Sequence, residues 1–142
     1  MSEITTFESR IGRVDCSAED LFYFVSDIRH FERFIPQGSV TNLKIERDSC
    51  SFQASMLGTV TLRISETVKF SKVVFSGNAL QINDFTLIVN IIDKGTPEAE
   101  VTVIMSAELN PFLKLIAAEP VKQLLERLIS GMEKFRGWKD TI

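Results

Sequence analysis

The sequence has few of the residues that usually carry metal, redox or nucleophilic chemistry. Its 142 residues include one histidine and two cysteines. A single histidine cannot build a histidine-rich metal site, and Cys16 and Cys50 lie far apart, in a pattern that matches neither CxxC nor zinc-ligand spacing. A Walker loop and the GxGxxG and GxSxG motifs are also missing from the sequence. These absences predict a protein without a metal or a bound cofactor, in which both thiols stay reduced.

Charge and hydropathy argue against two further classes of protein. Lys and Arg number 16 against 19 Asp and Glu, and the resulting net charge of −3 is not that of a strongly basic nucleic-acid binder. The most apolar stretch, residues 85–92 (FTLIVNII), is far too short to cross a bilayer, and no basic patch followed by an apolar run marks a signal peptide. We therefore expect a cytoplasmic protein, folded as one domain over residues 1–142, with no nucleic-acid partner and no stable membrane insertion.

The chain opens with a pattern typical of a half-buried strand. Residues 4–14 alternate, with Thr5, Phe7, Ser9 and Ile11 on one face and polar residues on the other. This pattern predicts a single strand whose inner face includes the Ser9 hydroxyl, which makes that hydroxyl a candidate ligand contact.

Two short helices and a meander of strands are predicted next. Ser17 is a suitable N-cap for a helix that extends to residue 28, and a second short helix over 29–34 stops before Pro36. From residue 39 the apolar period changes to two. Turn-rich breaks separate six predicted strands, at 39–47, 50–57, 59–70, 72–78, 82–94 and 98–109.

One long helix is predicted to close the chain. It begins at Pro111, whose missing N–H is harmless in a first turn, and runs to about residue 136. Pro120 inside it predicts a kink that follows a curved sheet, with a hinge at the mouth of a pocket as the alternative. The best apolar stripe of the chain follows this proline, at Val121, Leu124, Leu125, Leu128, Ile129, Met132 and Phe135.

The order of these elements and two local segments resemble the SRPBCC superfamily, which includes START domains, polyketide cyclases, coenzyme Q chaperones and birch-pollen-allergen-like proteins. Residues 14–28 (VDCSAEDLFYFVSDI) are similar to the first strand end and opening helix of that superfamily. Residues 109–114 (LNPFLK), followed by Glu119-Pro120-Val121, resemble its last strand-to-helix junction. The resemblance implies an α+β helix-grip fold, in which a curved antiparallel sheet of about seven strands wraps around the C-terminal helix.

The resemblance also implies an apolar cavity between sheet and helix. We expect it to bind or carry a hydrophobic small molecule such as a lipid, quinone or polyketide-like compound, without catalysis. Two alternatives stay open. One is a cyclase- or dehydratase-like enzyme that uses the same cavity, and the other is a partner-binding module, similar to the coenzyme Q chaperones, that uses the surface around Phe31, Phe34 and Trp138.

Two polar residues of the predicted strands are the main candidates to orient a ligand. Strand parity places Glu66 on an apolar face, where desolvation would raise its pKa; a bulge or a nearby arginine is the alternative explanation. Asn90 lies in a strand that is apolar on both faces, so it either contacts a ligand inside or sits on the outer face. An outer face bearing Ile88 and Ile92 would suit a homo-oligomer contact.

The remaining candidates are apolar. We expect Phe34, Met56, Met105 and Leu125 to line the cavity, although soft methionines are also ordinary core residues. His30 lies in a polar and aromatic stretch, which predicts a solvated side chain on a short surface helix.

Overall fold

A computed structural model gives the architecture of residues 3–30, 40–54, 58–79, 84–95 and 97–135. These residues form an eight-stranded antiparallel sheet and three helices. The helices are α1 (Ala18–Val25), a short 3-10 helix (Ile28–His30) and α2 (Pro111–Lys134). The strands are β1 (Glu3–Glu8), β2 (Gly12–Val14), β3 (Val40–Ile45), β4 (Ser49–Ala54), β5 (Gly58–Val68), β6 (Lys72–Ala79), β7 (Asp84–Asp93) and β8 (Ala99–Leu109). They lie in the order β1-β8-β7-β6-β5-β4-β3, with β2 beside β8. The predicted helix-grip fold and its six central strands are confirmed.

Strict alternation along the central strands gives the sheet one buried face. In β7, Phe85, Leu87, Val89 and Ile91 are buried, while the residues between them are partly exposed. The same pattern continues in β8. Because period-2 alternation places successive side chains on opposite faces, this pattern defines an inner face against the helices and an outer face toward solvent.

The predicted single strand at the N-terminus is two strands. Ser9 interrupts the pairing with β8, because its N–H donates to the Val103 carbonyl at 2.9 Å and its hydroxyl accepts from the Val103 N–H at 2.9 Å. The interruption shifts the parity of the chain, so Gly12 and Val14 point inward and Ile11 is 56% exposed. The expectation that Ile11 shares the face of Phe7 is therefore wrong.

Helix α2 lies across the inner face of the sheet. The side chain of Asn110 caps it by accepting a hydrogen bond from Leu113 N–H at 2.8 Å, and the helix continues through Pro120. Most of the predicted apolar stripe is buried: Val121, Leu125, Leu128, Ile129 and Met132. Leu124 and Phe135 are half-buried.

The short helices near the N-terminus pack their aromatic side chains against each other and against the end of α2. The ring of Phe24 stacks on His30 at 3.9 Å and lies 5.0 Å from the ring of Phe135. Nδ1 of His30 lies 2.8 Å from the Phe24 carbonyl oxygen and therefore donates to it. His30 is only 7% exposed, so the prediction of a solvated histidine is wrong. Residues 31–34, the rest of the second predicted helix, lie outside the described residues.

An exposed ion-pair network fastens the C-terminal half of α2 to the start of the sheet. Nε of Arg10 lies 3.0 Å from Glu126, and its Nη2 lies 2.8 Å from Glu133. Glu133 also accepts from the Arg13 backbone N–H at 3.0 Å. The hydrogen bond from Arg10 holds the pKa of Glu133 below its ordinary value, aided by the Arg13 N–H and the arginine charge.

This network predicts a pH-dependent contribution to stability. Arg10→Met should lower the free energy of unfolding by about 1 kcal/mol near neutral pH, because the charges are partly exposed. A carboxyl group whose pKa is lower in the folded than in the unfolded state stabilises the fold at pH values above its unfolded-state pKa. That contribution is lost as the pH falls through its folded-state pKa. Urea denaturation should therefore show that Arg10→Met lowers the free energy of unfolding by this amount near pH 7. Below the ordinary Glu pKa of 4.5 it should lower it by less.

Arg13→Met is the matched control for this prediction. Arg13 meets Glu100 only at 3.8 Å and its side chain is 83% exposed, so its removal should change stability by no more than about 0.5 kcal/mol. An Arg10→Met loss of the same size at acidic and neutral pH would contradict an ionic origin.

Candidate ligand-binding cavity

An apolar cavity lies between the inner face of the sheet and the middle of α2. Five strands and two turns of the helix provide its walls. The lining residues are Phe52, Val60, Leu62, Ala79, Phe85, Leu87, Met105, Val121, Leu124, Leu125 and Leu128. Ala79 has the smallest side chain of this wall, and α2 contributes three leucines to it.

The cavity is small, and its described wall is completely apolar. Its volume is about 30 Å³. A cavity of this size is large enough for a water molecule, but a water there would lack the two to four polar partners it needs. A larger guest therefore has to displace side chains, and the side chains of the wall whose rotamers can change are the unbranched Met105 and the γ-branched leucines.

The structure brings two of the predicted lining residues together. Met105 reaches the cavity from β8 and Leu125 from α2, and both are at least 95% buried. Their contact with a ligand stays a prediction. Phe34 and Met56 lie outside the described residues, as do Phe31 and Trp138.

Glu66 does not reach the cavity. Its side chain is 59% exposed and its Oε2 lies 3.6 Å from Nζ of Lys72. The cause is a register shift between Ile64 and Glu66: Ile64 pairs with inward-facing Phe75, whereas Glu66 pairs with outward-facing Val74. One extra residue moves every following side chain of the strand to the other face, so the prediction of a desolvated carboxylate is wrong.

Asn90 and Ser9 are also placed away from the cavity. Asn90 is half-buried on the outer face of β7, beside Lys72 and Thr102, as the alternative interpretation expected. The Ser9 hydroxyl bonds to backbone groups of Arg10 and Val103, which gives it a structural task in the sheet. The homo-oligomer contact through the outer face of β7 stays a prediction.

Sequence reasoning missed most of the wall. The missed residues carry no polar group that would distinguish them from ordinary core residues. They are Val60, Leu62, Ala79, Phe85, Leu87, Val121, Leu124 and Leu128. The available signal is parity: each strand residue shares a face with the buried members of its own strand, and Val121, Leu124, Leu125 and Leu128 follow helical spacing. Which part of this face borders a cavity depends on how α2 crosses the sheet.

The remaining titratable groups of the core are not arranged as a metal site. Among the described residues, no group of three or more His, Cys, Asp or Glu side chains lies close enough to hold a metal ion. Cys16 and Cys50 are buried thiols, and burial raises the pKa of the Cys50 thiol to about 12. Such a thiol stays protonated and unreactive near neutral pH.

Comparison with known proteins identifies the fold. No family model and no curated protein matches the sequence. Among solved structures, truncated norcoclaurine synthase from Thalictrum flavum superposes with a TM-score of 0.73 at 12% identity, over 94% of this chain and 93% of that chain. A START superfamily protein from Mycobacterium smegmatis gives a TM-score of 0.63 at 14% identity, over 92% of this chain and 97% of that chain. This chain has a START-like helix-grip fold.

A second norcoclaurine synthase structure, solved with small molecules, is also similar in fold. Norcoclaurine synthase from Thalictrum flavum in complex with dopamine and hydroxybenzaldehyde superposes with a TM-score of 0.72 at 10% identity, over 94% of this chain and 86% of that chain. At these sequence identities the comparison establishes the START-like fold. The chemistry of the site has to be argued from the residues of this chain. In the described part of the chain, no helix is both long enough and apolar enough to span a membrane.

Proposed function

We propose that this START-like protein binds a hydrophobic small molecule in the cavity between the sheet and α2, and that it acts as a binder or carrier. The observation that carries the proposal is the composition of the wall, which is apolar at every described position. Burial of a ligand's apolar surface there supplies about 25 cal/mol per Å² before ordering costs are subtracted. The similar norcoclaurine synthase structure, solved with two small aromatic molecules, supports a ligand in this fold.

The character of the wall favours binding over catalysis. Acid–base catalysis needs a titratable side chain within hydrogen-bond reach of the reacting group, and no described lining residue has one. Glu66, the carboxylate expected on the inner face, is on the outer face. Lipids, quinones and polyketide-like compounds stay the candidate ligand classes.

Expansion of the cavity is part of the proposal. A volume of about 30 Å³ is well below the roughly 150 Å³ that an engineered apolar cavity needs to hold benzene. Leu124 is half-buried and lies on the cavity wall. Rotation of Leu124 and Met105 therefore enlarges the space at the lowest cost in packing, because neither side chain is β-branched.

Two measurements test the proposal. Native mass spectrometry with organic extraction, on the protein purified from its own organism, should detect a discrete hydrophobic compound. Titration of the purified protein with the apolar fluorophore ANS should then give saturable fluorescence, and Ala79→Val should weaken ANS binding severalfold because the added methyl groups occupy the cavity. Thr59→Val is the control, since it places a valine on β5 at an exposed position.

Equal ANS affinity in Ala79→Val and Thr59→Val would place the probe outside the cavity and contradict the proposal. Thermal denaturation of both variants should be compared first, because a partly unfolded protein also binds ANS.

A further inference from the structure

A groove crosses the outer face of the sheet, on the side opposite the cavity. Its volume is about 620 Å³, within the range of small-molecule sites. Five neighbouring strands each contribute one lining residue from a single register row, in which Ser49 pairs with Arg63, Arg63 with Ser76, Ser76 with Thr86 and Thr86 with Ser106. The groove floor is therefore a line of hydroxyl groups with one guanidinium.

The charges of the groove are separated by sign. Arg63 lies on β5, whereas the carboxylates Asp84 and Glu108 lie on β7 and β8. Within the described ranges none of these three exposed side chains forms an ion pair. Elsewhere on the same face, Glu66 pairs with Lys72 and Glu100 pairs with Lys94. The groove thus has an uncompensated cation on one side and two uncompensated anions on the other.

The hydroxyl groups between these charges are also available. The side chains of Ser76 and Thr86 make no hydrogen bond to any described residue. Each hydroxyl is one donor and two acceptors, so the floor matches a ligand that has both N–H and C=O groups along its length.

Strand spacing gives the length of the matching ligand. Neighbouring strands lie about 4.8 Å apart, and Asp84 and Glu108 lie one row beyond Arg63, which is two residues along the strand. The Cα atoms of Asp84 and Glu108 are therefore about 12 and 16 Å from that of Arg63. An extended peptide rises about 3.3 Å per residue, so three to five residues cover this span.

We propose that this groove binds a short peptide with free termini. The guanidinium of Arg63 binds the C-terminal carboxylate, which is the planar, bidentate partner it prefers. Asp84 and Glu108 bind the N-terminal ammonium, and the hydroxyl row contacts the peptide groups between.

The proposal is tested by titrating the full chain with tetraalanine while its amide chemical shifts are recorded by NMR. Saturable shifts should appear at Ser76, Thr86 and Ser106, and the affinity should be highest for peptides of three to five residues. The N-acetylated and C-amidated forms of tetraalanine should each bind roughly tenfold more weakly, because each loses one charge-assisted contact.

Two variants assign the ends of the peptide. Arg63→Gln should bind tetraalanine roughly tenfold more weakly and no longer distinguish the C-amidated form, while it still distinguishes the N-acetylated form. The double variant Asp84→Asn with Glu108→Gln should show the opposite pattern. Arg47→Gln is the control, since this arginine is exposed but does not line the groove.

Three results would overturn the proposal: no shift at the groove amides with millimolar peptide, equal binding of free and capped peptides, or Arg63→Gln binding as well as Arg47→Gln. Shifts at the groove that depend on protein concentration without peptide would also overturn it, because they would identify a second copy as the occupant.

Discussion

Gly77→Ala should lower the free energy of unfolding by about 3 kcal/mol, the upper end of what one extra buried methyl group usually costs. A Cβ atom at this position would lie 2.5 Å from the Thr61 carbonyl oxygen and 2.8 Å from side-chain atoms of Leu62 and Phe85. The carbonyl is backbone of the neighbouring strand, so β5 and β6 must move apart to accept it. Since Leu62 and Phe85 both line the cavity, the substitution also disturbs the proposed ligand site.

Gly95→Ala is the control for this prediction. Gly95 has a φ of +91°, a conformation that L-residues rarely adopt, but a Cβ there would have no atom within 4 Å. Gly95→Ala should therefore lower the free energy of unfolding by about 1 kcal/mol, from backbone strain alone. Urea denaturation measures both variants. A Gly77→Ala loss no larger than that of Gly95→Ala would show that the sheet accepts the methyl group by moving.

Leu125→Ala should lower the free energy of unfolding by about 3 kcal/mol, in the middle of the range for a buried leucine. Leu125 is 2% exposed and lines the cavity, so its truncation removes packing and also enlarges the apolar space. Benzene should then stabilise the variant against thermal unfolding, because a ligand that binds only the folded state raises its stability. The wild-type protein, with a cavity of about 30 Å³, should gain much less.

Leu115→Ala is the matched control, since it is the same substitution on the same helix at a side chain that is 80% exposed. It should change stability by no more than about 0.5 kcal/mol and should not respond to benzene. Equal losses for Leu125→Ala and Leu115→Ala would contradict the position of Leu125 in the wall. Equal benzene stabilisation of the wild-type protein would contradict the expectation that truncation of Leu125 enlarges the cavity.

Glu66 and Asn90 show where strand parity succeeds and where it fails. Parity along β7 places Phe85, Leu87, Val89 and Ile91 on one face, and the structure keeps them together because that strand has no register shift. The same rule failed for Glu66, since an irregularity near residue 65 depends on the partner strand and leaves no mark in hydrophobicity alternation. Asn90 had two open interpretations because both faces of its strand are apolar, and only the position of α2 decides which face is inside.

The prediction that His30 is solvated was wrong for a related reason. Its neighbours along the chain, Arg29 and Glu32, are charged and indicate solvent. Its burial depends on stacking against Phe24 and on the Phe24 carbonyl, six residues earlier, which accepts the Nδ1 proton. Local polarity predicts exposure only where no aromatic partner folds back onto the residue.

The sequence by itself determined the approximate bounds of the central strands and the start of α2 at Pro111, because hydrophobic periodicity and the first-turn proline are local properties of the chain. The helix-grip fold followed from the resemblance of this element order to the SRPBCC superfamily. The tertiary structure alone decided which apolar residues border the cavity and how little space they leave. It also aligned the hydroxyl row with Arg63 across five strands. These features depend on register and helix placement, which arise from contacts between residues far apart in sequence.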